Sequence, residues 1–355
     1  MPSPKYLDLL GRDQEVEKIK DALADAQRRR IVGISGLGGS GKTSVAIEVA
    51  RSFRELGFQK IVWQTASSTS VRENLPGSRM TFSKVLDEIA TQLSRRDLLA
   101  LQGEEREIKT RELLYNERVL LVLDNMETSG EPQEKIAGKL LPILGNSKLL
   151  LTSRHRFETI EIDIFDYHIV GLGKEPGIKL MRQTAHERNI AVLQESDLEP
   201  LIDLTGNERM GYSPLAIKFI VGQRGHRERD EISRNLENIR LPQNDEEVSD
   251  KNLFRQFWHH IFSESYQLLE EPDQTLLSIL ALLDPSQGTS HDVICKMLNS
   301  ELTQQEIEGA INHTRYLSFL EVEREREKEM NQQLYSMHLL TNRYFAKIIN
   351  KYSQK

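Results

Sequence analysis

The first 170 residues alternate between two hydrophobic patterns, one typical of helices and the other typical of buried strands. Val16, Ile19 and Leu23 recur at helical spacing within residues 13–26, and a second helical stripe lies on residues 82–93. Short continuous apolar runs separate these stripes and are typical of strands covered on both faces. The runs that we predict to be strands are residues 30–35, 60–66, 119–123, 148–151 and 167–170. Strands that alternate with helices in this way predict a parallel sheet covered by helices.

The pattern changes after Gly171, where strand signals stop and helical patterns dominate to about residue 245. Residues 243–250, QNDEEVSD, are polar and acidic and are typical of a linker. Beyond this linker we predict three helices. Pro272 lies near the start of the first, Ser290 caps the second, and a capping box at residues 303–306 opens the third.

The last part of the chain carries two strand-like runs, at residues 319–322 and 333–337. The charged stretch between them, EREREKEMNQ, is typical of a solvated turn. Three helices followed by a β-hairpin predict a winged helix. The chain therefore divides into an N-terminal segment at residues 1–12, an α/β domain at 13–171, a helical domain at 172–245 and a winged-helix domain at 246–355.

Residues 36–44, GLGGSGKTS, lie between the first predicted strand and a predicted helix at residues 43–55. Glycines let the backbone curl so that successive N–H groups face one anion, and the following helix adds the positive end of its dipole. Lys42 supplies a full charge for the terminal phosphates, and the hydroxyl of Thr43 reaches Mg²⁺. The pattern GxxxxGKS/T in this context predicts a phosphate-binding loop of an α/β NTPase. Its predicted binding residues are Gly36, Gly38, Gly39, Ser40, Gly41, Lys42, Thr43 and Ser44.

Asp124 ends the buried run VLLVL, so in a parallel sheet it lies at the same edge as the phosphate loop. We predict that Asp124 and Thr43 hold Mg²⁺. Residue 125 is an asparagine, which can hydrogen-bond to water but cannot take its proton. Glu127 could supply a carboxylate only if a turn brings it inward, and the sequence therefore favours slow hydrolysis.

The next predicted strand is followed by Thr152-Ser153-Arg154. An arginine at this position can contact a γ-phosphate and thereby detect it. We predict that Lys42, Asp124 and Arg154 are the residues that act on the terminal phosphate during hydrolysis.

Composition limits the classes of protein to be considered. Hydrophobic residues make up 38% of the chain and charged residues 28%, which is typical of a globular protein in water. The longest apolar run, residues 276–283, is too short to span a membrane, and the N-terminus lacks the pattern of a secretory signal. The single cysteine, Cys295, excludes an internal disulfide and fits a reducing compartment. We therefore expect a cytoplasmic protein without membrane association, and the net charge of −7 argues against extensive nucleic-acid binding.

These motifs together resemble the NB-ARC or AP-ATPase branch of the STAND signalling ATPases, which includes apoptotic protease-activating factors and plant disease-resistance proteins. GLGGSGKTS resembles the double-glycine phosphate loop of that family, LLVLDNME its Walker B strand and LLLTSR its sensor strand. Leu10-Gly11-Arg12 resembles the family's N-terminal motif, whose backbone and arginine touch the adenine. The resemblance extends from about Leu10 to about Phe345.

Two further motifs make the resemblance more specific. GYSPLA at residues 211–216 resembles the GLPLA motif, which implies that Pro214 and Leu215 pack on the nucleotide. From the residues alone, Ser213 and Pro214 are suited to the N-cap and first position of a helix. YSMHL near the C-terminus resembles the MHD motif, which implies that His338 hydrogen-bonds the β-phosphate of ADP. Leu339 stands where the family has an aspartate.

The resemblance implies a nucleotide-dependent switch that uses ADP, ATP and Mg²⁺. ADP would hold the three domains in a closed form, and its exchange for ATP would release His338 and let the winged helix swing away. The open form would self-assemble. Family members usually carry an N-terminal effector domain and a C-terminal sensor array, so either a longer protein or partner proteins would supply them.

Two other functions fit part of the pattern. An AAA+ replication initiator also combines a phosphate loop with a winged helix, but it would show an arginine sensor where this chain has GYSPLA. A transcription regulator would bind DNA through the winged helix, whose third predicted helix, QQEIEGAINHTRY, has two glutamates against one arginine. That composition is poor for phosphate contact, and we expect no direct DNA binding by this segment.

Overall fold

A five-stranded parallel sheet forms the centre of the N-terminal half of the chain. The structure, a computed structural model, describes residues 1–25, 29–66, 79–157, 162–236, 251–285, 288–323 and 333–352. The strands are β1 (Ile31–Gly36), β2 (Lys60–Thr65), β3 (Val119–Asp124), β4 (Lys148–Ser153) and β5 (Ile164–Ile169). They lie in the order β2-β3-β4-β1-β5, and every neighbouring pair is parallel. The predicted parallel sheet is confirmed, and the ends of β3, β4 and β1 lie side by side.

Helices cover both faces of this sheet. They are α1 (Asp13–Ala24), α2 (Lys42–Arg51), α3 (Phe82–Gln92), α4 (Gly103–Asn116) and α5 (Gln133–Leu140). Alternate strand residues enter opposite cores, so that Val32 packs with α1 and α2 while Ile31 packs with the other three helices. Because both faces are covered, β1, β3 and β4 are buried along their whole length, as their continuous apolar runs predict.

Some element boundaries differ from the prediction. Helix α2 ends at Arg51 rather than at residue 55, because the chain tightens into turns in which the N–H of Phe53 bonds to the carbonyl of Ala50. Strand β5 begins at Ile164 rather than at residue 167. It lies at the edge of the sheet and is only partly buried, so its first residues do not form the continuous apolar run from which we predict strands. The predicted loop at 67–79, linker at 243–250 and turn at 323–332 lie outside the described residues, apart from residues 79 and 323.

The part of the chain after Gly171 begins with helices, as predicted, but also contains a small hairpin. The helices are α6 (Lys174–Glu187), α7 (Glu195–Ile202), α8 (Pro214–Arg224) and α9 (Arg229–Leu236). Between α7 and α8, β6 (Gly206–Asn207) pairs with β7 (Gly211–Tyr212) in an antiparallel sheet. Strands of two residues are too short to show a hydrophobic period, so the sequence pattern does not reveal them.

The C-terminal part combines five helices and a three-stranded sheet among the described residues. The helices are α10 (Lys251–Tyr266), α11 (Glu271–Leu280), α12 (His291–Leu298), α13 (Gln304–Tyr316) and α14 (Leu339–Tyr352). The strands β8 (Thr289–Ser290), β9 (Glu321–Val322) and β10 (Leu334–Ser336) lie in the antiparallel order β8-β10-β9. The capping box at Thr303 and Glu306 is present, whereas α10 and α14 were not predicted. Assignment of this part as a winged helix stays a prediction.

One continuous cluster of buried side chains runs from Leu172 to Phe345. It includes Phe219 of α8, whose ring meets Phe262 of α10 at 5.1 Å and Phe319 at 5.0 Å, both edge to face. The two C-terminal parts therefore pack on each other. No helix among the described residues is long and apolar enough to cross a membrane.

Candidate nucleotide-binding site

The phosphate loop connects β1 to α2, and its backbone shape requires glycine. Gly36, Gly39 and Gly41 have φ angles of +148°, +81° and +96°, which residues with a Cβ adopt rarely. Gly41 is the N-cap of α2, and a Cβ built on it would meet no described atom within 4 Å. Open space therefore lies over the N-terminus of α2, where unpaired N–H groups and the helix dipole favour an anion.

Lys42 is buried within the loop, with 6% of the residue exposed. Its ammonium group donates hydrogen bonds of 2.8 Å to the carbonyl oxygens of Gly36 and Leu37. Burial lowers the pKa of Lys42 to about 8, although the nearby Glu127 carboxylate acts in the opposite direction. The two carbonyl groups thus hold the Lys42 side chain in place. A bound anion would stabilise the charged form of its amine.

This lowered pKa leads to a pH prediction. A bound phosphate favours the protonated amine, so above about pH 8 nucleotide binding must take up one proton at Lys42. We expect the ATP association constant to fall as the pH rises above that value, by at most about tenfold per pH unit. Calorimetric titrations in two buffers of different ionisation enthalpy would measure the proton uptake directly. An affinity that stays constant up to about pH 10 would contradict the prediction.

Asp124 accepts three hydroxyl hydrogen bonds at the end of β3, the longest from Thr65 Oγ1 to Oδ2 at 3.5 Å. Thr43 Oγ1 donates to Oδ1 at 2.8 Å, and Thr152 Oγ1 donates to the same oxygen at 2.5 Å. Asp124 is 1% exposed, and burial raises its pKa above the ordinary value. A cation bound beside the carboxylate would favour its charged form and offset that effect.

The donors at this position fit Mg²⁺. The Thr43 hydroxyl and the Asp124 carboxylate are oxygen donors 2.8 Å apart, and Mg²⁺ takes its remaining ligands from waters and phosphates. Among the described residues, no group of three or more His, Cys, Asp and Glu side chains could hold a metal ion.

A turn after Asp124 brings Glu127 inward, which the sequence left undecided. Asn125 has a φ of +60°, and its N–H bonds to the Thr152 hydroxyl at 2.9 Å, so that residues 126–128 fold back as a 3₁₀ turn. Oε1 of Glu127 lies 2.9 Å from Nε of Arg154, and Oε2 accepts the backbone N–H of Arg154 at 3.3 Å. The carboxylate is thus held at the same edge of the sheet as the phosphate loop.

Arg12 connects the phosphate loop to the end of the sheet. It is 3% exposed and donates to the carbonyl oxygens of Ser40 at 2.9 Å and of Val170 at 2.7 Å. A third hydrogen bond, of 2.8 Å, goes to Glu15. The sequence did not anticipate these partners, because all but Glu15 are backbone groups distant along the chain.

The GYSPLA segment places the start of α8 against the phosphate loop. Ser213 is the N-cap of α8, accepts the N–H of Ala216 and donates to the carbonyl of Gly39 at 3.4 Å. Pro214 is the first helical residue, as predicted, and Cβ of Leu215 lies 3.1 Å from where a Cβ on Gly39 would be. A Cβ on Gly39 would also lie 2.9 Å from the Trp258 ring, so a side chain there would be strained by both its neighbours and the positive φ.

His338 lies between β10 and α14. Its Nδ1 accepts the N–H of Leu340 at 3.2 Å, which leaves Nε2 as the protonated nitrogen of the neutral ring. Burial lowers the pKa of His338 to about 3, although the negative charge of Glu321 acts in the opposite direction. The imidazole is therefore neutral near pH 7 and offers one N–H donor.

These residues share one cavity of about 230 Å³. It joins the α/β part to both C-terminal parts. The predicted site residues on its wall are Leu10, Arg12, Gly38, Gly39, Ser40, Gly41, Lys42, Thr43, Ser44, Asp124, Arg154, Pro214, Leu215 and His338. Gly36 does not line the cavity and acts instead through its carbonyl bond to Lys42.

The cavity wall also contains a charged group that the sequence pattern does not reveal. Glu321 of β9 lies 3.0 Å from the ammonium of Lys218 and 3.7 Å from that of Lys5. Burial opposes the charged carboxylate, but the two lysines outweigh that effect and hold the pKa of Glu321 well below its usual range. Tyr6 fixes the N-terminal segment nearby by donating to the carbonyl of Ser44 at 3.1 Å.

A comparison with known protein families identifies the family to which this chain belongs. The NB-ARC domain model matches residues 12–191, which is 180 of the 355 residues and includes the phosphate loop, β3 and β4. The chain belongs to the NB-ARC family. The resemblance of the sequence motifs to NB-ARC and STAND nucleotide-binding proteins is thereby confirmed.

Relatives of this NB-ARC chain include plant proteins. It is 29% identical over 221 residues to the probable disease resistance RPP8-like protein 2 of Arabidopsis thaliana, covering 61% of this chain and 23% of that protein. It is 26% identical over 193 residues to the TMV resistance protein N of Nicotiana glutinosa, covering 53% of this chain and 16% of that protein. The NB-ARC chain thus spans less than a quarter of these relatives.

A solved structure supports the fold. A STAND protein with a tetratricopeptide repeat sensor from Pyrococcus horikoshii aligns with 98% of the NB-ARC chain and 44% of its own chain. The TM-score is 0.58 at 16% sequence identity, which indicates a shared fold. The P-loop NTPase fold with a parallel sheet is therefore established for the α/β part.

Proposed function

We propose that this NB-ARC chain is a STAND-type switch that binds ADP in a closed form and exchanges it for ATP to open. The observation that carries the proposal is the shared cavity. Its wall brings together the phosphate loop, the start of α8 and His338, which belong to three successive parts of the chain. A ligand in this cavity would contact all three parts at once and hold them together.

The residues of the cavity divide into chemical roles. Lys42 and the N–H groups at the start of α2 bind the phosphates. Thr43 and Asp124 hold Mg²⁺, which neutralises phosphate charge when bound. The apolar side chains of Leu10, Pro214 and Leu215 form a wall on which a base and ribose can pack.

His338 provides the hydrogen bond to ADP that exists in the closed form. Its neutral ring carries one N–H donor at the cavity wall, and a β-phosphate would raise its pKa and strengthen that bond. The C-terminal part, which we assign as a winged helix at residues 246–355, is thereby tied to ADP. Residues 172–245 form the helical domain between it and the α/β domain at 13–171.

Exchange for ATP adds a γ-phosphate beside Arg154. We propose that this exchange releases His338, lets the C-terminal part move away and exposes surface for self-assembly with further copies. Hydrolysis is slow, because Asn125 cannot accept a proton and the Glu127 carboxylate is paired with Arg154. Effector and sensor functions belong to further domains or to partner proteins in the cytoplasm, and DNA is not a partner.

The nucleotide content of the purified protein tests this proposal. The protein is denatured, and the supernatant is separated by ion-exchange chromatography. We expect near-stoichiometric ADP carried through purification, because a closed switch exchanges slowly. An empty site combined with rapid turnover of added ATP would indicate a hydrolytic motor and would contradict the proposal.

A further inference from the structure

A group of basic residues lies at the edge of the parallel sheet opposite to the phosphate loop. The strands β3, β4 and β1 are neighbours, and in a parallel sheet their amino ends meet at one edge. We call this group the basic edge. It consists of Arg29 and Arg30, which precede β1, Arg118, which precedes β3, Lys148, which begins β4, and Arg111 of α4, the helix that leads into β3.

The positive charges of the basic edge lack acidic partners. Within the described part of the chain, none of its five cations forms an ion pair with a carboxylate. Glu117, which precedes Arg118 in the sequence, pairs with Lys60 at 2.8 Å. Aromatic rings attract a cation but carry no net negative charge, and they orient two of the guanidinium groups without neutralising them. These contacts are Arg29 over Phe165 at 4.0 Å and Arg118 over Phe58 at 5.2 Å.

The cations of the basic edge also repel one another. Lys148 is 4% exposed, and its ammonium donates to the backbone carbonyl of Asp25. Burial lowers the pKa of Lys148, and three arginines of the basic edge lower it further, although the charge of Asp25 acts in the opposite direction. Burial likewise lowers the pKa of Arg30, and the charge of Arg111 adds to this effect. An anion bound at this edge would relieve the repulsion.

Solvent reaches the basic edge, and an exposed aromatic residue lies next to it. Arg111 is exposed, and the other three arginines are partly exposed. Tyr115 of α4 is 61% exposed. Its backbone packs against Gly145, whose carbonyl accepts a 2.7 Å hydrogen bond from Arg30. Arginine and tyrosine are enriched among the residues that contribute most to binding at protein–protein interfaces, so the composition of this surface suits a protein partner.

We propose that the basic edge is a docking surface for an acidic peptide segment of a partner protein. Guanidinium groups bind carboxylates through charge-assisted hydrogen bonds, and complementary charge selects the partner. The chain has a net charge of −7 even with these five cations included, so the surface beyond the basic edge would repel a long polyanion such as duplex DNA. A short acidic segment stays within the edge. Because the nucleotide cavity lies at the other end of the sheet, docking here does not depend on the proposed nucleotide function.

The test measures binding of a fluorescein-labelled hexaglutamate peptide by fluorescence anisotropy at low salt. We expect the triple variant Arg29→Gln/Arg111→Gln/Arg118→Gln to raise the dissociation constant at least about tenfold. The matched control is Arg51→Gln/Arg182→Gln/Arg234→Gln, which removes three exposed arginines from α2, α6 and α9 and gives the same net charge. Its dissociation constant should change by less than about twofold.

Melting temperatures check the fold of both triple variants. The single variant Arg111→Glu, at an exposed position, provides a second test if the first triple variant fails to fold, and it should weaken binding at least about threefold. Absence of peptide binding by the unaltered protein, or an equal loss in both triple variants, would overturn the docking surface. Tighter binding of a short duplex DNA than of the peptide would overturn the acidic partner and indicate a nucleic-acid surface.

Discussion

Replacing Lys42 by alanine is expected to abolish nucleotide binding, with the ADP dissociation constant raised by at least about 100-fold. A hydrogen bond to a charged group contributes about 1.5–3 kcal/mol, and Lys42 offers a full charge to more than one phosphate oxygen. In the structure the ammonium also closes the loop onto the carbonyls of Gly36 and Leu37. Alanine therefore removes the charge and loosens the loop around the anion. Equilibrium titration with a fluorescent ADP analogue measures the effect.

The control for this variant is Lys109→Ala, an exposed lysine of α4 whose 2.8 Å pair with Glu112 lies on the surface. Surface pairs contribute little to stability, so this change should alter neither folding nor binding. Circular dichroism of both variants separates loss of the site from loss of the fold. Retained ADP affinity in folded Lys42→Ala would refute the assignment of the phosphate loop.

Replacing His338 by alanine is expected to raise the dissociation rate of ADP about ten- to a hundredfold. The lost contact is one hydrogen bond to a charged phosphate, worth about 1.5–3 kcal/mol, and it exists in the closed form alone. The same free energy shifts the balance toward the open form, so the variant should form oligomers at lower protein concentration. Stopped-flow displacement of labelled ADP measures the rate, and light scattering after size exclusion measures the assembly.

His186→Ala provides the comparison, since His186 lies exposed on α6. It should leave both the ADP dissociation rate and the oligomeric state unchanged. An unchanged dissociation rate in His338→Ala would remove the histidine from the closing mechanism, while the phosphate loop could still bind ADP. The two alanine variants thus test the two ends of the same cavity independently.

The parts of the molecule that sequence predicts well are those governed by local rules. A buried strand shows as a continuous apolar run, and a phosphate loop shows as glycines at fixed spacing before a helix, so β1, β3, β4 and the loop were found together. The predicted start of the edge strand β5 is three residues too late. One side of β5 lacks a strand neighbour and its residues are only partly buried, so its apolar pattern is weaker.

Long-range partners could not be predicted from spacing. Arg12 was assigned to a nucleotide-contacting motif, yet its donors reach the backbone at Ser40 and Val170. Glu321 meets Lys5 and Lys218, which lie 316 and 103 residues away in the sequence. Such pairs depend on how whole elements pack, and a single sequence carries no local signal for them.

The continuous apolar cluster from Leu172 to Phe345 gives the proposed opening a thermal signature. If α8 separates from α10, Phe219 loses its edge-to-face contacts with Phe262 and Phe319, and these rings meet water. Exposure of apolar surface raises the heat capacity by about 0.45 cal/K/mol per Å². Nucleotide exchange should therefore have an enthalpy that rises with temperature, and a second copy that covers the exposed rings would offset that rise.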